Sequence, residues 1–256
     1  MSNQLIVLTC TVEPTKSVNV ARNDAKLRLD DYEEAILKWI KLARLSRSKI
    51  LVLENSGNLD AIKNRIKYVN DSQIFFLATS KDITSQNEGI SAGEFAMLRE
   101  ALPFIQSLTA IKFCWKVTGR LFVENFEQIR KTNSSQVAVN RFYNPFHIID
   151  SRLVGFSVDV FRDLVSMDPL FRKNNQDLGH ISDSNTFSSL EEFLTVYLTQ
   201  RECTGLRVGT MKKIPIFSGT SASTNKKINS KILSFKLERL NSIRPILLKL
   251  LGGSAP

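Results

Sequence analysis

Three short apolar runs, Leu5 to Thr11, Lys49 to Leu53 and Gln73 to Thr79, are separated by two stretches whose apolar residues recur at helical spacing. This order is the strongest constraint in the chain. Parallel strands cannot be joined by a tight turn, and their crossovers are helices that cover the sheet. Near-continuous apolar runs of this kind suit strands buried on both faces. In the first helical stretch Tyr32, Ala35, Ile36, Trp39, Ile40 and Ala43 share a face, and Asp30 three residues before Glu33 reads as a capping box. Leu59, Ile62, Ile66 and Val69 mark the second. The β-α-β-α-β order predicts an α/β domain with a mostly parallel central sheet and helices on both faces.

In open sheets of this type, ligands lie beyond the carboxyl ends of the strands. Those ends are polar here. The first run ends in Thr9-Cys10-Thr11, and the second leads into Glu54-Asn55-Ser56-Gly57. A further strand, Ile111 to Arg120, ends in Lys116-Val117-Thr118-Gly119-Arg120. Two cations and a hydroxyl at a strand end suit a diphosphate; a solvated basic turn explains them equally. Between these strands Ser91 and Glu94 form a second capping-box pattern ahead of Phe95, Leu98, Ala101, Leu102 and Ile105, so Glu94 reads either as a cap or as a functional carboxylate.

Downstream, a short helix near Phe126 to Lys131 and a strand from Gln136 to Phe142 precede Asp150-Ser151-Arg152. Leu153 to Val158 reads as a strand, with Asp159 capping the helix after it. Ser188 and Glu191 make a third capping box, and Leu190, Phe193, Leu194, Tyr197 and Leu198 define the helix face behind it. Gly205 to Val208 and Ile214 to Phe217 are short strand candidates. The hydroxyl-rich segment Ser218 to Thr224 reads as a linker or a phosphate-binding loop.

The net charge of +10 is uneven. From Asn225 onward seven basic residues face one acid, Glu238. The partly amphipathic stretch Ile228 to Leu251, interrupted by Pro245, suits an anionic membrane surface or a helix packed on the domain. Two divisions follow: residues 1–224 as the main domain and 225–256 as a basic tail. Cys10, Cys114 and Cys203 are far apart and read as reduced, structural thiols. His147 and His180 form no metal-type pair. Neither a signal peptide nor a membrane-spanning helix is expected.

In their shared order, DYEEAILKWI, ILVLENSG, GISAGEFAMLREAL, KVTGR, DSRLVGFSVDVF, SLEEFL and PIFSGTSAST resemble a bacterial glycosyltransferase family of surface-polysaccharide biosynthesis, found in lipopolysaccharide and capsule clusters. Its members show a Lys-x-Thr-Gly-Arg strand end and an Asp-Ser-Arg segment. The resemblance runs from about residue 4 to 230. It implies a GT-A-like, Rossmann-like domain that takes a nucleotide-sugar donor and a glycan or lipid-linked acceptor. By that resemblance Thr9 and Thr11 line the nucleotide pocket, and Glu54, Asn55 and Ser56 lie beside the base or ribose. Lys116, Thr118 and Arg120 hold the phosphates, and Glu191 is the candidate catalytic base. Asp150 stands where this fold keeps a metal-binding Asp-x-Asp for Mg²⁺ or Mn²⁺. Here the third position is Arg152, which either replaces the metal together with Lys116 and Arg120 or pairs with a neighbouring acid. The EGISAGEF segment also departs from the relatives, which carry a basic residue and more glycines before the glutamate.

A cytoplasmic enzyme, peripheral at the inner membrane, is therefore expected. Two other readings fit the chain: an inactive relative serving as an assembly subunit, and a basic nucleic-acid-binding protein. No nucleic-acid motif accompanies the basic tail, so nucleic acid is not an expected partner.

Overall fold

The computed structural model describes residues 3–14, 21–67, 71–80, 89–141, 148–171, 186–221 and 225–229. Strand β1 (Gln4–Cys10) leads through α1 (Ala25–Ser46) to β2 (Lys49–Glu54), and α2 (Leu59–Arg65) leads to β3 (Ile74–Ala78). Helix α3 (Ile90–Ser107) returns the chain to β4 (Phe113–Thr118). Then come β5 (Leu121–Val123), α4 (Phe126–Thr132), β6 (Val137–Arg141), β7 (Ile149–Ser157), α5 (Val158–Val165), β8 (Leu170–Phe171), β9 (Thr186–Phe187), α6 (Leu190–Cys203), β10 (Val208–Thr210), β11 (Phe217–Thr220) and β12 (Lys227–Asn229).

The main sheet has the order β10-β6-β7-β4-β1-β2-β3. β1 pairs in parallel with both β2 and β4, and β2 with β3. The chain therefore winds outward from β1 to β3 and then reverses to β4 on the other side of β1. That reversal opens a crevice at the carboxyl ends of β1 and β4, the place where such sheets receive ligands. β7 lies between β4 and β6 and runs antiparallel to both. Its first residues, rather than its last, therefore reach the same edge.

The expected α/β architecture is what the structure shows. Each face of the sheet carries its own core. Leu5, Val7, Leu51 and Leu53 pack with Phe95, Leu98, Phe161, Phe193 and Leu194 of α3, α5 and α6. Ile6, Leu8, Ile50 and Val52 pack with Ile36, Trp39 and Ile40 of α1 and Phe126 of α4. Trp39 is fully buried, meets Phe122 and Phe126 edge-on, and donates its indole N–H to the Leu121 carbonyl at 2.8 Å. Truncation of a side chain so placed costs about 3–5 kcal/mol. Gly155 lets Trp115 and Phe113 lie across β7: a Cβ there would come within 2.8 Å of the Trp115 ring.

The helix starts differ from those expected. The cap of α1 lies six residues before the predicted Asp30: Asp24 accepts the Leu27 N–H at 2.8 Å. Asp30 and Glu33 lie inside the helix and pair with Arg65. α5 is capped at Ser157, and Asp159 sits in its first turn beside Arg162. A second sheet, β12-β11-β5, places Lys227–Asn229 against β11. Residues 230–256, which hold most of the amphipathic tail, lie outside the described residues, as do His147, His180 and 222–224.

Candidate active site

Thr9 and Lys116 lie near the carboxyl ends of neighbouring parallel strands, two residues apart in register, Thr9 opposite Thr118 and Lys116 opposite Val7. The face they share is that of α3. Glu94 projects from the second turn of that helix and receives both: Thr9 Oγ1 donates to Glu94 Oε1 at 2.8 Å, and Lys116 Nζ lies 2.6 Å from the same oxygen. Lys116 Nζ also donates to the Ser151 carbonyl at 2.6 Å, and its side chain is 2% exposed. Burying an ammonium is unfavourable without an opposite charge and hydrogen-bond acceptors, and these two acceptors meet that requirement. Glu94 is thus no helix cap. α3 starts at Ile90 after Gly89, so Ser91 is already helical, and its Oγ accepts the Leu190 N–H.

The same one-residue discrimination decides Glu191. The residue capping α6 is Ser189, which accepts the Glu192 N–H at 3.2 Å. Glu192 reaches back to the N–H and hydroxyl of Ser188. Glu191 is released from capping and accepts a hydrogen bond from Ser151 Oγ. Thr195 ties this turn to the strand: its Oγ1 accepts the Ile149 N–H at 3.0 Å and donates to the Glu191 carbonyl at 2.7 Å. Among the described residues Glu191 makes no ion pair, whereas Glu94 and Asp150 each face a cation. A chain of polar contacts therefore runs Thr9–Glu94–Lys116–Ser151–Glu191 across β1, α3, β4, β7 and α6.

Beside it, Asp150 is 1% exposed and saturated. Oδ1 accepts Arg152 N at 3.1 Å and Nε at 2.8 Å; Oδ2 accepts Arg152 Nη2 at 2.7 Å and Asn140 Nδ2 at 3.3 Å. Four donors fill the four lone-pair positions of a carboxylate. The guanidinium lies 4.4 Å from the centre of the Phe217 ring, and its side chain remains 35% exposed. Mg²⁺ and Mn²⁺ take several oxygen ligands. Among the described residues no group of three His, Cys, Asp or Glu could hold a metal ion. Asp150, expected as a metal ligand, instead has its oxygens taken by Arg152 and Asn140.

Three further expectations meet a different geometry. Arg120 does not join Lys116: its Nε donates to the Thr220 carbonyl of β11, on the α1 side of the sheet. Gly119 turns the chain away after β4. A Cβ on Gly119 would lie 2.7 Å from the Thr9 carbonyl, so this turn presses directly on the end of β1. Glu54, fully buried, is consumed by backbone. Its carboxylate accepts the N–H groups of Val12, Ser56 and Asn58 at 3.1, 3.0 and 2.8 Å and the Ser56 hydroxyl. Thr11 donates to Asn55 Oδ1 at 2.7 Å, and the Thr11 carbonyl accepts from Arg28 Nε and Tyr32. Thr11, Glu54, Asn55 and Ser56 thus bracket two loops together. The hydroxyls of Ser218 and Thr220 serve Glu124 and Asp31 rather than a phosphate. Thr118 pairs across from Thr9 at the crevice.

A separate cleft of about 650 Å³ lies between α1 and the small sheet. Asp30, Asp31, Glu34 and Glu124 line it together with Arg22 and Lys227, and Arg22 pairs with Asp31. The thiols take no part in the site. Burial, and next the charge of Glu54, holds the Cys10 thiol well above its ordinary range. Burial pushes Cys114 up to about 12. Cys203 is exposed, and all three are free.

No protein-family model matches this sequence, and no curated protein matches it. Among solved structures the chain is similar to a Desulfovibrio desulfuricans protein described as a nucleotide-diphospho-sugar transferase, at 15% identity over 82% of this chain and 80% of that one, with a TM-score of 0.47. It is also similar to an inositol-1-phosphate CTP transferase from T. maritima, at 12% identity over 90% and 93%, TM-score 0.48. HddC from Yersinia pseudotuberculosis aligns at 12% identity over 84% and 92%, TM-score 0.42.

Proposed function

We propose that this chain is a glycosyltransferase that moves a sugar from a nucleotide-activated donor to a glycan or lipid-linked acceptor in surface-polysaccharide biosynthesis. The observation that carries the reading is Glu191. It is a carboxylate with no ion-pair partner among the described residues, tethered to Ser151 at the crevice where β1 and β4 end and β7 begins. An inverting transfer needs such a group. The acceptor oxygen bonds to the anomeric carbon while the carbon–oxygen bond to the diphosphate breaks. The bonding pair leaves with the diphosphate, and the acceptor proton passes to Glu191.

Lys116 and Glu94 form the floor of that site, with Thr9 and Thr118 at its strand ends. Nucleotide and sugar occupy the crevice above them. The acceptor's membrane anchor is met through the basic tail 225–256 at the cytoplasmic face. Among the described residues no helix is long and apolar enough to cross a membrane, which suits a peripheral rather than spanning role for them.

A panel of uridine, guanosine, thymidine and cytidine diphosphate sugars tests the reading. At least one is expected to raise the melting temperature and, with an acceptor glycolipid, to release its nucleoside diphosphate. Stabilisation by none of them would reject the proposal. Binding without transfer to any acceptor would instead identify an inactive assembly subunit. Liposome flotation with and without residues 226–256 tests the membrane part, and equal flotation would reject it.

A further inference from the structure

We infer that the departing diphosphate is received by the Arg152 guanidinium and that no divalent cation takes part. This rests on the transferase reading above. A metal-dependent site presents carboxylates outward, and the metal supplies the positive charge that the diphosphate needs. At this edge the order is reversed. Asp150 is the buried member, with every lone-pair position occupied, and Arg152 lies in front of it with 35% of its side chain exposed. Recruiting a metal to Asp150 would break the paired Nε and Nη2 contacts and take from Arg152 its carboxylate partner. What the segment shows to solvent is therefore a cation.

Among the described residues, Asp150 and Phe217 hold that cation. The paired bonds to Asp150 fix the plane of the guanidinium, and the Phe217 ring supports it from 4.4 Å. A planar fork held in this way suits phosphate oxygens, and a lysine would not reproduce it. When the glycosidic carbon–oxygen bond breaks, the bonding pair goes to the diphosphate oxygen, and Arg152 meets the charge that develops there.

Calorimetric titration of the full chain with uridine, guanosine, thymidine and cytidine diphosphates, in EDTA and separately in Mn²⁺ or Mg²⁺, tests this. The same affinity in both conditions is expected for the diphosphate that binds. Binding only with metal would overturn the inference and leave the transferase reading standing. Binding in neither would overturn both. Arg152→Lys should weaken binding at least about tenfold in EDTA. Because this change disturbs a buried pair, Asp150→Asn/Arg152→Gln provides a neutral hydrogen-bonding replacement. Its melting temperature without ligand should stay near that of the parent while diphosphate binding falls by a similar factor. Unchanged binding in the double variant would overturn the inference.

Discussion

The ends of β1 and β2 and the ends of β4 and β7 both carry buried polar side chains, and they are built in opposite ways. At the first, the Glu54 carboxylate gathers backbone N–H groups from two loops. At the second, Glu94 and Glu191 come from helices on the far side of a core and meet side chains from three strands. Backbone donors cannot leave, so the first arrangement closes the chain on itself. Side-chain donors can exchange partners with a ligand, which suits the second to the transfer proposed above. Two things separate the carboxylates here, the origin of their donors and their burial: Glu54 is fully buried, whereas Glu94 and Glu191 are half-buried.

Substitutions sharpen this contrast. The largest effect belongs to Glu191→Gln, which should lower the transfer rate about a hundredfold or more with little change in melting temperature. A variant of normal rate would break the comparison outright. Glu54→Ala should act in the reverse sense, costing about 3 kcal/mol in denaturant unfolding because several buried N–H groups lose their acceptor. The Lys116–Glu94 pair lies between these extremes. Glu94→Gln alone should cost about 3 kcal/mol by leaving the buried Lys116 charge unmatched, and Lys116→Met/Glu94→Gln should recover most of it. If the double variant also recovered donor binding, this pair would belong with the structural bracket. Thr195→Val is the mildest change, costing about 1 kcal/mol. Because Thr195 positions the turn that carries Glu191, its rate should fall more than its donor affinity.

Part of the alkaline pH dependence belongs to α6, beside the raised thiols of Cys10 and Cys114. Burial, then Asp163, raises the Tyr197 phenol to about 12. A raised phenol pKa gives stability that is complete below the unfolded value of about 10 and is lost as pH rises toward 12. Tyr197→Phe should flatten that alkaline loss in thermal melts.

Much of the sheet was legible because continuous apolar runs announce buried parallel strands, and the runs at Lys49 and Gln73 became β2 and β3 within a residue. Helix starts were harder to read. Ser188 and Ser189 both precede glutamates at box spacing, and only backbone geometry selects Ser189 with Glu192, freeing Glu191. The same ambiguity hid Glu94. Lys116 and Arg120 shared a face in the sequence pattern because alternation assumes extended backbone. The strand ends at Thr118, and the turn at Gly119 sends Arg120 to the other side. Ser151, Asn140 and Phe217 carried no signal of their own, since contacts between distant strands leave no periodic trace.

β7 runs against its neighbours and so enters the sheet at the rim where β1 and β4 end, the edge proposed above to receive the donor. Changes of length or composition just upstream of Ile149 can therefore remodel recognition, while the Val154 and Phe156 layer deeper in the strand keeps its register. New specificities could be grafted onto this scaffold from that side without rebuilding its interior.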